Sequence, residues 1–432
     1  MATQIGIIAD DFTGANDSGV RLAQKGLKSR VILASDEKGI HQQNAEIDVW
    51  IVDTNSRAMK EKNAYETVLK EINGLKERGV SLFYKKVDST LRGRVSAELK
   101  AMQEAASMDV LFVAPAFPSM GRTVENGSLY VNGILVTETE FARDPKTPVL
   151  HSYIPDLLAS EGIGITVLTR ELLLGGHPEK WVLEQIQQGV KWIVCDVKEE
   201  SDFPLLAALE QKLDLAIGWA GSAGMINHLY GEYANQAQIE HSLSSPIDKV
   251  LVVSGSLSAK TQEQVDKLKM RPATKIIEID PLMLIENPEK AVASLASLEA
   301  GEGWDSAVIF VGASQENRDK VSAWAKDNNR SANQTAKAIS EGLGHLVQRA
   351  MEKADFNALI MTGGDTAKDI CSILGIYDME LRFEVEAGLP LGMVSLNGKE
   401  MIVVTKAGGF GTADSLSNTV EYLKGAGLHA NN

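Results

Sequence analysis

Ile7-Ile8-Ala9-Asp10-Asp11-Phe12-Thr13-Gly14-Ala15-Asn16-Asp17 is the stretch from which the fold can be read. The apolar run Ile5 to Ala9 has the length of a buried strand and stops at two adjacent carboxylates. A glycine-containing turn follows, and Val20, Leu22, Ala23 and Leu27 then recur at helical spacing. In an open parallel α/β sheet, ligands bind beyond the carboxyl ends of the strands, where Asp10 and Asp11 should fall. Neighbouring residues on a strand point to opposite faces, so only one of the two acids is expected to face a ligand. The plainer alternative makes Asp10 or Asp11 the cap of the following helix.

A second cluster of the same kind shifts the balance toward a site: Tyr84-Lys85-Lys86-Val87-Asp88-Ser89-Thr90-Leu91-Arg92-Gly93-Arg94. Leu82, Phe83 and Tyr84 read as a strand, and Val95, Leu99 and Met102 share one face of the helix that follows. The link between them carries Lys86, Asp88, Ser89, Thr90, Arg92 and Arg94, groups that bind polyols, carboxylates and phosphates. Ser89 could serve only as a helix cap, but Lys86 and Arg92 have no such simple role. A third strand end, Val49 to Asp53, leads into Thr54-Asn55-Ser56-Arg57. Arginine suits a planar carboxylate, because its fork donates two parallel hydrogen bonds. Three strand ends bearing acids, bases and hydroxyls point to a small, polar, anionic substrate.

The composition is that of a globular protein, with a hydrophobic fraction of 44% and a charged fraction of 23%. At 432 residues, two domains are the prior expectation. A net charge of -15 disfavours a general nucleic-acid or anionic-membrane surface, so an anionic ligand needs a local basic pocket such as that around Lys86 and Arg92. The residues Met1-Ala2-Thr3-Gln4 lack a basic signal region, and no apolar run is long enough to span a bilayer. The 2 cysteines, Cys195 and Cys371, have no CxxC pairing and read as core residues of a protein in a reducing, cytoplasmic compartment. The 7 histidines show neither HExxH nor HxH spacing, which disfavours a dedicated metal site.

Along the chain the expectation is α/β: two domains, each built on a mainly parallel sheet flanked by helices, with an irregular insertion in the first. Strands are predicted at Ile5 to Ala9, Val31 to Leu33, Val49 to Asp53, Leu82 to Lys86, Val110 to Ala114 and Trp192 to Asp196. The segment Pro115 to Pro148 breaks this alternation, and within it Ser128 to Val136 reads as a hairpin turning at Asn132-Gly133. Its Arg122, Thr123 and Glu125 could reach a ligand or equally stabilise the loop itself. A polar linker over 235–249 separates a first domain, 1–240, from a second, 247–432. In the second, strands are predicted at Val250 to Val253, Lys275 to Ile279, Ala307 to Val311, Ala358 to Met361 and Met401 to Val404.

Glycine follows three of those strands, in Ser254-Gly255-Ser256, Thr362-Gly363-Gly364-Asp365 and Thr405-Lys406-Ala407-Gly408-Gly409-Phe410-Gly411. Such turns let the backbone approach a ligand, and exposed N–H groups with the helix dipole favour phosphate. One turn is weak support; three in one domain point to nucleotide phosphate. There is no GxxxxGK[ST], no strand-linked GxGxxG with its acid, and no DxDx[TV] phosphatase spacing after Asp10 or Asp11.

Taken in order, ADDFTGAND (9–17), NSRAM (55–59), KKVDSTLRGR (85–94), ETEFARDPKTP (138–148), SGS (254–256), TGGDTA (362–367) and KAGGFG (406–411) resemble the four-carbon acid sugar kinase family. The resemblance spans nearly the whole chain. It implies an N-terminal sugar-acid-binding domain, a C-terminal nucleotide-binding domain, and transfer of the ATP γ-phosphoryl group to the terminal hydroxyl of a four-carbon sugar acid. Asn16-Asp17-Ser18-Gly19, Ser56-Arg57-Ala58-Met59 and the Glu138 to Pro148 stretch look most like the branch acting on D-threonate. A 3-oxo-tetronate, L-threonate, erythronate or 4-hydroxy-L-threonine is the alternative acceptor, and a nucleotide-regulated sugar-acid sensor the distant one.

By the same resemblance, Asp11, Arg57 and Lys86-Val87-Asp88-Ser89 would bind substrate, a set to which the cluster above adds Arg92. Ser254, Gly255, Ser256, Thr362, Gly363, Gly364, Asp365 and Gly408 would bind ATP. Arg57 and Lys86 are expected to hold the carboxylate, and Asp11 and Asp88 the hydroxyls. Asp88 is the first candidate for a general base and Asp365 the second. Mg²⁺ is expected to arrive with ATP rather than in a dedicated protein site, since it keeps most of its water. No nucleic-acid or membrane partner is expected, and self-association stays open.

Overall fold

Apolar runs bounded by polar turns dominate the chain, and in the computed structural model they form parallel strands buried on both faces. The structure describes residues 4–33, 47–144, 146–160, 162–235, 242–243, 245–299 and 303–425. The chain divides into two units, Met1–Ile239 and Glu240–Asn432. Of the linker expected at 235–249, residues 236–241 and 244 lie outside the described residues.

The first unit contains β1 (Gln4–Ala9), β2 (Ser29–Ile32), β3 (Val49–Asp53), β4 (Val80–Lys86), β5 (Val110–Ala114), β6 (Arg122–Glu125), β7 (Ser128–Val131), β8 (Ile134–Leu135), β9 (Gly164–Leu168), β10 (Val190–Cys195) and β11 (Ile217–Gly221). Its main sheet runs β2-β3-β1-β4-β11-β5-β10-β9, with every described pairing parallel. The chain builds first to one side of β1, through β2 and β3, and then crosses to β4 on the other. That reversal opens a crevice at the carboxyl ends of β1 and β4, the usual ligand position in such sheets.

β6, β7 and β8 form a separate antiparallel sheet inside the irregular insertion. The expected turn at Asn132-Gly133 is present, with φ of 50° and 79°, the backbone of a tight hairpin. A second turn at Asn126-Gly127 was not predicted. It is pinned by Asp196, whose carboxylate accepts the N–H groups of Asn126 at 2.7 Å and Gly127 at 2.8 Å.

The second unit contains β12 (Val250–Ser254), β13 (Thr274–Ile279), β14 (Ser306–Val311), β15 (Ala358–Thr362), β16 (Asp378–Glu384), β17 (Pro390–Leu396) and β18 (Lys399–Lys406). The order β13-β14-β12-β15-β18 is parallel, while β17 and β16 extend the sheet antiparallel beyond β18. Here the chain reverses between β12 and β15, so the same rule places a crevice at Ser254-Gly255 and Thr362-Gly363. The core under this sheet joins Val250, Val252, Ile360 and Val404 to Val265 and Leu268 of the helix Ala259–Lys269 and to Leu416 and Val420 of the helix Ser415–Leu423.

The sequence expectation missed β6, β9, β11, β16 and β17. β11, Ile-Gly-Trp-Ala-Gly, is too rich in glycine to look like a strand, yet it sits mid-sheet. A Cβ on Gly218 would lie 2.1 Å from Met108 Sδ, and one on Gly221 2.4 Å from the Ala114 carbonyl oxygen. Packing rather than propensity sets this strand. Among the described residues no helix is long and apolar enough to cross a membrane.

Candidate active site

Because β3, β1 and β4 are neighbours, the three strand ends singled out above stand side by side. Asp10, 2% exposed, directly follows β1 and meets a residue that follows β3. There it takes a two-point ion pair from Arg57, with Nε to Oδ2 at 2.7 Å and Nη2 to Oδ1 at 3.0 Å. Asp11 takes the capping role that the sequence offered as the plainer alternative, and it also meets Arg57. Its Oδ1 caps the helix Phe12–Ala23 by accepting from the Gly14 N–H at 2.8 Å, and its Oδ2 forms an ion pair with Arg57, 2.8 Å from Nη1. Of the five N–H donors of Arg57, Asp10 takes two. Burial disfavours the guanidinium charge, but Asp10, Asp11 and Asp88 outweigh it and raise the Arg57 pKa further.

Lys86, the last residue of β4, donates to the Val87 carbonyl at 2.9 Å. Its ammonium passes over Gly14, where a Cβ would lie 3.0 Å from Nζ and 2.7 Å from Asp11 Oδ1, so a side chain there would push the Asp11 carboxylate aside. Below it, Lys85 and Glu98 form a buried pair at 2.9 Å. Val87 is fully buried and donates its N–H to the Gly221 carbonyl at 2.9 Å, so it contributes backbone rather than side chain. Ser89 is half-buried, and its hydroxyl makes no hydrogen bond to the described residues.

Asp88 is gripped more tightly than the sequence suggested. Arg92 donates from Nε to Oδ2 at 2.8 Å and from Nη2 to Oδ1 at 3.0 Å, Thr90 Oγ1 also donates to Oδ2, and Arg57 Nη2 stands 3.9 Å away. Burial alone would raise the Asp88 pKa, but Arg57 and Arg92 hold the carboxyl far below the usual range. A carboxylate so acidic, gripped on both oxygens, is a poor proton acceptor. The geometry thus argues against Asp88 as a base and makes it the anchor of Arg92, whose Nη1 also meets Asp144 at 3.3 Å.

Three groups outside the expected set of site residues also stand near it. Asp10 is one; that it pairs with Arg57 follows only from the adjacency of β1 and β3. Asp17 is another: burial raises its carboxyl pKa while Lys86 and Arg21 pull it down, and Arg21 lies 3.7 Å away. The third is Arg122 on β6. Its charge is felt by Asp88 and Glu140, and its buried Nε has no hydrogen-bond partner among the described residues.

In the second unit, Ser254 and Thr362 end paired strands and bond to each other at 3.0 Å, both buried. Gly363 takes φ 92°, a conformation that side chains resist, and donates its N–H to the Lys406 carbonyl at 2.9 Å. The helix Gly364–Leu374 starts there, with Asp365 exposed in its first turn. Gly255 passes so close to this helix that a Cβ would lie 2.5 Å from Thr366 Oγ1. Ser256 donates to Ser258 Oγ at 3.2 Å, and Ser258 to the Gly408 carbonyl at 2.5 Å, which ties the first glycine turn to the third. The three turns therefore meet at the N-terminus of the helix Gly364–Leu374.

Two family matches divide the chain along the same line: a sugar-binding N-terminal domain over residues 5–229 and a nucleotide-binding C-terminal domain over residues 251–416. The D-threonate kinase of Salmonella typhimurium is 32% identical over 97% of this chain and 98% of its own length. That of Bordetella bronchiseptica is 30% identical over 97% of each. A solved structure from Salmonella typhimurium shares the fold at a TM-score of 0.80 and 23% identity, covering 96% of this chain and 98% of that one.

Proposed function

Since the chain belongs to the four-carbon acid sugar kinase family, we propose that it transfers the γ-phosphoryl group of ATP to the terminal hydroxyl of D-threonate, giving D-threonate 4-phosphate. The observation that carries the sugar-acid half is Arg57, locked by a two-point bond to Asp10 and an ion pair with Asp11, with N–H donors still to give. Those donors and the Lys86 ammonium hold the substrate carboxylate, while Asp11 and Ser89 accept or donate to its hydroxyls. Asp88 keeps Arg92 and Arg57 in place rather than taking the proton.

Phosphoryl transfer of this kind depends on alignment and charge neutralisation more than on covalent catalysis. The turns at Gly255, Gly363-Gly364 and Gly408 cradle the phosphates, with the helix Gly364–Leu374 presenting its N-terminus. Mg²⁺ comes with the nucleotide, supplies charge neutralisation on its oxygens and keeps most of its water. Asp365, exposed beside the phosphate turn, accepts the hydroxyl proton. The test is ADP release with a panel of four-carbon acids. D-threonate should give the highest kcat/KM; preference for a 3-oxo-tetronate or an erythronate would move the substrate, and no release with any acid would end the kinase reading.

A further inference from the structure

Lys406 ends β18 as a residue only 2% exposed, yet among the described residues no carboxylate bonds its ammonium. Its partners are neutral: the carbonyls of Ala407 at 2.8 Å, Gly408 at 3.3 Å and Phe410 at 3.1 Å, and the Thr261 hydroxyl at 3.3 Å. The helix Ala259–Lys269 reinforces the same inward set. Thr261 Oγ1 donates to the Gly408 carbonyl at 2.8 Å, and Gln264 Nε2 to that of Phe410 at 3.0 Å.

In a trans peptide unit the carbonyl and the next N–H point in opposite directions. Drawing the carbonyls of residues 407, 408 and 410 onto one ammonium therefore turns the N–H groups of Gly408, Gly409 and Gly411 the other way. Among the described residues none of these three N–H groups has an acceptor. Gly409 and Gly411 are exposed and Gly408 half-buried. Successive outward N–H groups backed by a buried positive charge make a nest for an anion.

We propose that Lys406 is a positioning residue that shapes Ala407–Gly411 into a phosphate nest, the N–H groups of Gly408, Gly409 and Gly411 receiving the nucleotide's phosphates. This rests on the nucleotide-binding role given above to the second unit. It also couples affinity to pH. Burial, aided by nearby Lys260, pushes the Lys406 pKa down to about 8. Lys260 is itself paired with Glu263, and the neighbouring turn carries Asp365 and Lys368. A bound polyphosphate favours the charged ammonium, so affinity is full below pH 8 and falls as the group deprotonates above it. The thiols do not compete in that range, since burial pushes Cys371 up to about 12 and Cys195 higher still.

The test is calorimetric titration of the full chain with Mg²⁺-ADP from pH 6.5 to 9. For the unaltered protein, Kd should be flat to pH 7.5 and rise about tenfold between pH 7 and pH 9. Lys406→Met should bind at least about tenfold more weakly at pH 7 with no pH dependence, and Lys406→Arg should restore affinity and stay flat. A Kd of the unaltered protein that does not change between pH 7 and 9 overturns the proposal, whether or not the variants fold. So does Lys406→Met binding as tightly as the parent. If the unaltered protein binds no ADP at any pH, the nucleotide reading itself has failed.

Discussion

Asp10 and Arg57 meet in a two-point ion pair, Nε to Oδ2 at 2.7 Å and Nη2 to Oδ1 at 3.0 Å, across the adjacent ends of β1 and β3. The carboxylate is buried and the guanidinium half-buried, so the pair fixes the arginine's plane before any substrate arrives. Arg57→Lys keeps the charge and loses that plane. It should raise the D-threonate KM at least tenfold, to order of magnitude, with kcat changed much less. Asp10→Asn should do the same and also lower stability by about 3–5 kcal/mol, the usual loss when one member of a buried pair is removed. Initial-rate kinetics and urea unfolding measure both; a normal KM in Asp10→Asn would show that Arg57 needs no such support.

Asp88→Asn separates holding from proton transfer. With Asp88 as the anchor of Arg92, the variant should bind D-threonate poorly but keep kcat within about tenfold when saturated. Asp365→Asn should instead lose roughly two to four orders of magnitude in kcat with D-threonate affinity preserved. A collapse of kcat in Asp88→Asn alone would return the base role to Asp88. Collapse in Asp17→Asn, with Asp365→Asn active, would move it to the sugar-acid unit.

Gly363→Val places a branched side chain at φ 92°, a conformation costing about 1–3 kcal/mol for such a residue, and fills the turn. ATP binding should be lost while D-threonate still protects the first unit from proteolysis. Unchanged ATP affinity in a folded variant would reduce Thr362 to Asp365 to a structural turn.

Acid should weaken the protein through the same cluster. The Asp10 and Asp88 carboxyls are both held below the ordinary value near 4: burial opposes this in each, and Arg57, with Arg92 at Asp88, outweighs it. A lowered folded-state pKa gives stability that is present above about pH 4 and lost as pH falls below it. Asp17, raised by burial, works in the opposite sense. The urea midpoint should therefore drop between pH 5 and pH 3, and drop less in Asp88→Asn. An equal drop in that variant would show that Asp88 contributes nothing to it.

Much of this arrangement is legible from local pattern. Strand ends at Ala9, Asp53 and Lys86 stand out because apolar runs stop there at charged residues, and the glycine turns announce themselves by composition. What is not legible needs neighbours that only the sheet supplies. The partner of Arg57 follows from β3 lying beside β1, and the grip on Asp88 from a loop in which Leu91 takes φ 58° and folds Arg92 back. β16 did carry a signal, since Met379, Leu381 and Phe383 alternate with polar residues and all three are buried. Lys406 carried one too. Like Lys86, it closes a buried strand and turns its ammonium onto the next carbonyl, a likeness that three nearby glycines obscured.

The chemistry is tested most directly by the product. Incubation with D-threonate, ATP and Mg²⁺, followed by phosphorus NMR with proton coupling, reports which hydroxyl carries the new ester. Phosphate on the terminal carbon is coupled to two protons and gives a triplet, formed in step with ADP. A doublet would place the ester on carbon 2 or 3, and ADP without any ester would mean hydrolysis alone; either result would contradict terminal phosphorylation of a four-carbon acid.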